Sequence, residues 1–153
     1  MTLLFLLLLI QQPVHDHHAG VDRRGDAVMG FSHEKTTHHF YLTATGGLIE
    51  ITANDAADAE SAAQIRGHLG HIRQMFADGD FTAPILIHAA DPPGTSAMTR
   101  LKGAIRYSVE EVPSGGRIRI ASENAEALRA IHEFLRFQIT DHRTGDPLTI
   151  SKQ

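Results

Sequence analysis

The chain has no cysteine and no tryptophan among its 153 residues. Without thiols there is no disulfide, no thiolate zinc site, no iron–sulfur cluster and no cysteine nucleophile. It has no surplus of positive charge either. Fourteen Lys and Arg stand against eighteen Asp and Glu, a formal charge of −4, so no basic field marks a nucleic-acid partner. The longest apolar run, Leu3 to Ile10, is far short of the roughly 20 residues that cross a bilayer. The nucleophile elbow GxSxG, the zinc motif HExxH, the Walker loop and GxGxxG are all missing.

What the chain has in excess is histidine, eleven in all. Imidazole is the commonest metal ligand and titrates near neutrality. Three of the eleven fall in Met29–Phe40, which reads MGFSHEKTTHHF.

Leu3–Ile10 fits the apolar region of a secretory signal, about 7–15 residues long. The basic segment before it and a small-x-small cleavage site after it are absent. Residues 1–14 are therefore expected to be a truncated signal peptide, which implies a periplasmic or secreted protein with no membrane span after processing. Residues 15–36 read as a His-rich leader and loop, with charged, aperiodic Val21–Asp26 an extended or loop segment. Cleavage at His15 would place His17 third, where amine, amides and imidazole make a square-planar copper or nickel site. The alternative for this stretch is a polar leader with no ligand.

Residues 37–150 read as a single α+β domain. Phe40 and Leu42 alternate with His39 and Tyr41, Gly46-Gly47 turns, and Ile49 and Ile51 resume the alternation. Asp58 then leads a helix to Ala77. The order returns with Ile105, Tyr107 and Val109, then a turn at Pro113-Ser114-Gly115-Gly116, then Ile118 and Ile120, and a helix from Ala125 to Asp141. The pattern predicts a duplicated ββα–ββα unit, an antiparallel sheet with two helices on one face. Between the halves, Pro84–His88 is expected to be a short strand. The sheet's charged outer face reads as solvated, or as the interface of a homodimer.

Several His fall where chemistry needs them. His68, His71 and Met75, at i, i+3 and i+7, share one flank of the first helix. Two imidazoles and a thioether suit copper, with zinc or nickel as alternatives. His132 falls within the apolar stripe of the second helix, and alternation turns His38 inward beside Phe40. Met29 and His33 are further candidates, and a site joining one of them to His38 and a helix His would tie the anchor stretch to the body. His142 lies one turn beyond the second helix's core, and His88 with Asp91 is a weaker acid/base pair.

Three functions follow. The first is a transition-metal binder, copper foremost, with His38, His68, His71, Met75 and His132 as ligands. The second is a small-ligand-binding or dimerising module whose His residues are structural. The third is an enzyme using His38 or His132 as general base.

MGFSHEKTTHHF, Gly79-Asp80-Phe81, Asp91-Pro92-Pro93-Gly94 and FLRFQITDHRTGD (Phe134–Asp146) together resemble a family of small bacterial exported proteins carrying an MGFxxEKTTHHF-type motif. The likeness covers nearly all of the chain after His15. It implies export and brings no activity or ligand set with it.

Overall fold

The structure is a computed structural model and describes residues 17–151; residues 1–14, expected to be a signal peptide, and His15 lie outside that range. The architecture is α+β, a four-stranded antiparallel sheet with five α-helices. The strands are β1 (Thr36–Thr43), β2 (Gly46–Ala53), β3 (Ile105–Val112) and β4 (Gly115–Ser122), in the order β1-β2-β4-β3. The helices are α1 (His17–Met29), α2 (Ala59–Ala77), α3 (Thr82–His88), α4 (Thr95–Arg100) and α5 (Ala125–Asp141).

Two tight hairpins, β1–β2 and β3–β4, meet along the β2–β4 seam, where Ile49 pairs with Ile118. About that pair the register is symmetric: Gly47 faces Ile120 and Ile51 faces Gly116. The inward residues of all four strands join Ile65, Leu69, Ile72 and Phe76 of α2 and Ile131, Leu135 and Ile139 of α5 in one core. Both helices start on side-chain caps, which satisfy N–H groups that the first turn leaves unpaired. Asp58 accepts from Ser61 N–H, and Asn124 from the N–H groups of Glu126 and Ala127. The packing is crossed. Helix α2, which follows the first hairpin, lies mostly over β3 and β4, and α5 lies mainly over β1 and β2.

Several segments depart from the sequence reading. Gly46-Gly47 and Gly115-Gly116 were expected as turns and are the first residues of β2 and β4; the chain turns at the pairs before them, Ala44-Thr45 and Pro113-Ser114. His17–Met29 was expected as leader and loop and is a helix. Its buried face is Gly20, Val21 and Gly25, too poor in apolar atoms to make a visible stripe. Arg24 Nε–H donates to the Ile87 carbonyl at 2.7 Å, tying α1 to the end of α3. Pro84–His88 was expected as a strand and forms most of α3. A short apolar run does not distinguish strand from helix by periodicity. Pro84 lies in the first turn, where a missing N–H is harmless, and Ala89 in the left-handed region (φ 53°) ends the helix.

Candidate functional site

Strand β1 sets His38 opposite Ile51, facing inward as the alternation requires. Around it the fold assembles aromatic and imidazole rings from four elements. His142, just beyond α5, stacks parallel to His38 with centroids 5.8 Å apart. His88, from the end of α3, meets His142 edge-on at 4.9 Å. Phe31 lies over His38 at 6.3 Å and meets His68 of α2 edge-on at 5.4 Å.

These rings separate two spaces. An outer polar mouth of about 250 Å³ is lined by Asp22, His33, Thr36, Thr37 and Thr144. An inner apolar chamber of about 70 Å³ is lined by Ile49, Ile51, Leu69, Ile72, Phe76, Ile87 and Phe134 among others. Met29, His38 and His142 line both. They form a wall shared by the mouth and the chamber.

The electrostatics of this wall are set by burial. Desolvation lowers the His38 pKa to about 4, with the nearby His68 and His39 adding to the fall. His142 is lowered to about 3, first by burial and then by His38 and His88. His68 is lowered to about 4 by burial and by His71. At neutral pH all three are uncharged. His33, at the mouth, moves the other way. Its Nδ1–H donates to Asp26 at 2.9 Å, and that hydrogen bond raises its pKa.

His38 Nε2 is sealed from solvent and has no hydrogen-bond partner. Buried polar atoms are nearly always paired, so an orphan points either to strain or to a missing ligand. His88 is the contrast. Its Nδ1–H donates to Asp141 Oδ2, and its Nε2 lies 3.0 Å from Gln138 Oε1, so both nitrogens are occupied. Asp91, expected as its partner, is exposed on the loop before α4.

The remaining candidates separate. His68, His71 and Met75 line a common groove of about 170 Å³ with Thr82 and Leu86. His132 is elsewhere, at the first hairpin, where its Nε2–H donates to the carbonyls of Thr43 (2.9 Å) and Gly46 (3.0 Å). Arg66 does the same at the second hairpin, donating to the carbonyls of Val112, Pro113 and Gly115. His132 is thus a helix-to-hairpin tie. His17 Nε2 bonds to Asp141 Oδ1 at 2.9 Å, so this part of the expected amino-terminal site is docked on α5. Among the described residues, no three His, Asp or Glu side chains are grouped to hold a metal ion.

No family model, curated protein or solved structure matches the chain. No described helix is long and apolar enough to cross a membrane.

His142, Gln138 and Asp141 around His88 were not legible as one cluster. Residues 50 or more positions apart meet there, and no local spacing announces such a meeting. His38 was legible, because strand alternation alone turns it inward.

Proposed function

We propose that this domain binds a small neutral molecule with a short apolar tail and a hydroxyl- or amide-type head. The tail enters the inner chamber and the head bonds His38 Nε2. The orphaned Nε2 carries this reading, since a buried nitrogen without a partner destabilises the empty fold by about 1–3 kcal/mol. A convergent polar atom on an apolar pocket is the ordinary composition of a ligand site. Neutral imidazoles suit an uncharged head, because neither His38 nor His142 offers a counter-ion at neutral pH. The chamber is smaller than the roughly 150 Å³ apolar cavity that holds benzene, so the tail is a few carbons at most. Export to the periplasm or medium belongs to the same proposal. So does the view that the domain is a duplicated ββα–ββα unit, supported by the matched ties of His132 and Arg66.

The test is an NMR titration with n-propanol, n-butanol and propionamide, following the ¹⁵N resonances of the His38 imidazole. Binding should shift Nε2 and be lost in His38→Leu. The same substitution should raise stability by about 1 kcal/mol, because it removes the unpaired nitrogen from an apolar wall. If none of the three probes perturbs His38 at tens of millimolar, or if His38→Leu is destabilising by more than 1 kcal/mol, the ligand reading is wrong and His38 is structural.

A second reading rests on the other groove. His68, His71 and Met75 line one space, and two imidazoles with a thioether favour Cu(I) over harder ions. Zinc or nickel would bind there less well. Copper titration of the full chain should then show one fewer tightly bound ion in Met75→Leu and in His71→Ala. Equal stoichiometry in all three proteins would eliminate this site.

A further inference from the structure

The two edges of the sheet are treated differently. Along β1 the carboxy-terminal segment takes up two of the outward backbone groups. Asp146 Oδ2 accepts from Phe40 N–H at 2.9 Å, and Ser151 N–H donates to the Leu42 carbonyl at 2.9 Å. Along β3 no described residue does this, although the strand is eight residues long.

The outward groups of β3 can be identified. Ala53 N–H donates to Ser114 O and Ser122 N–H to Thr45 O, so even-numbered β4 residues bond toward β2 and odd-numbered ones toward β3. Carried through the β3–β4 register, Arg106, Ser108 and Glu110 bond inward to β4. Ile105, Tyr107, Val109 and Glu111 therefore turn their N–H and C=O groups outward. An open edge of this kind is a template for another strand.

We propose that β3 is the seam of a homodimer, pairing antiparallel with the β3 of a second copy about a two-fold axis at Ser108. This register joins the outward groups of Tyr107 to those of Val109 in the other copy, in two reciprocal sets. It also sets Arg106 directly opposite Glu110 of the other copy, twice, on the outer face of the sheet. Shifting the axis to Glu110 would oppose like carboxylates, and shifting it to Tyr107 or Val109 leaves Arg106 without an acid opposite. Arg106 has only a long, exposed ion pair to exchange for this one. Its side chain is 70% exposed and reaches Glu123, itself 90% exposed, at only 3.5 Å. Glu110 is already oriented on the outer face by Arg117 (2.8 Å) and Arg119 (3.0 Å). The result is one eight-stranded sheet with its helices on one side. No residue of β3 lines the ligand pocket, so this inference stands or falls independently of the one above.

Two measurements test it on the full chain. Sedimentation velocity between 1 and 100 µM should show a monomer–dimer equilibrium, with the dissociation constant raised about tenfold or more in Arg106→Glu, where two attractive pairs become repulsive. Because the chain has no cysteine, single cysteines report the register. Residues opposed in a non-hydrogen-bonded pair have Cα atoms about 4.5 Å apart, within disulfide reach, so Ser108→Cys should cross-link under mild oxidation while Arg106→Cys should not. A monomer at 100 µM overturns the proposal. So does cross-linking of Arg106→Cys as fast as Ser108→Cys, because it would place the seam elsewhere.

Discussion

Lowering the pH from 7 to 4 is expected to unfold this domain, with a loss on the order of 5 kcal/mol or more. The cause is the buried imidazole wall. In the unfolded chain a His titrates near 6.5, whereas in the fold His38 and His68 are held at about 4 and His142 at about 3. Below pH 6.5 the unfolded chain takes up protons that the fold refuses, so stability falls as pH falls. The contribution is present in full above pH 6.5 and is exhausted once the folded groups themselves protonate, near pH 3 to 4. Each group adds up to about 1.4 kcal/mol per pH unit across that window, against a total stability of about 5–15 kcal/mol. His33 runs oppositely. Its pKa is raised by Asp26, so its contribution is complete at low pH and is lost as pH rises through its folded pKa. It is a surface pair and offsets little. Asp141 and Asp146 have lowered pKa values, in part through hydrogen bonds with His88 and His17 and with Thr144 and Phe40. Their stabilisation is lost only as pH falls below the ordinary carboxylate range.

Urea unfolding midpoints at pH 7.5, 6.5, 5.5 and 5.0 would measure this slope. His142→Phe should flatten it by about a third, since one of three refusing groups is gone. A stability independent of pH between 7 and 5 would mean that the wall takes up water and charge. That would also weaken the case for an uncharged ligand at His38.

The extent to which the sequence announces this structure varies with the range of the interactions involved. Both hairpins could be read because strand alternation acts within a few residues, although the paired glycines open β2 and β4 and do not themselves turn the chain. So could the two long helices, whose apolar stripes and caps are local. Helix α1 was invisible because two of its three buried residues are glycines; its docking depends on Arg24 reaching α3 rather than on its own apolar surface. At the site, His38 was readable from strand parity, and Met29 and His33 from their proximity to it in sequence. The role of His132 was not. Its position in an apolar stripe suggests a ligand or a satisfied core residue, and only the meeting of α5 with the first hairpin decides for the carbonyls of Thr43 and Gly46.

The same hairpins carry the second large effect. Substitution of Gly46 or Gly115 by Val is expected to abolish folding, and by Ala to destabilise by about 4 kcal/mol or more. A Cβ on Gly46 would stand 2.0 Å from the Ile120 carbonyl oxygen, and one on Gly115 would stand 2.0 Å from that of Ile51. These oxygens belong to the central strands and have no room to retreat, because the β2–β4 seam holds both halves of the sheet together. Gly46 adds a φ of 151°, which L side chains rarely adopt. The neighbouring glycines should not behave alike. A Cβ on Gly47 meets the Tyr41 carbonyl oxygen at 2.4 Å and Leu135 Cδ1 at 2.2 Å. On Gly116 the corresponding contacts are 3.3 Å to the Glu110 carbonyl oxygen and 2.9 Å to Leu69 Cδ1. Leu69 can relieve its contact by a rotamer change, at about 0.5–1.5 kcal/mol, so Gly116→Ala should fold where Gly47→Ala barely does. Chemical denaturation of the four alanine variants would give the order, Gly46 and Gly115 worst, then Gly47, then Gly116. If Gly116→Ala proved as damaging as Gly115→Ala, the second hairpin would have to sit closer to α2 than α5 does to the first, and the near-symmetry of the two halves would extend to their tolerances.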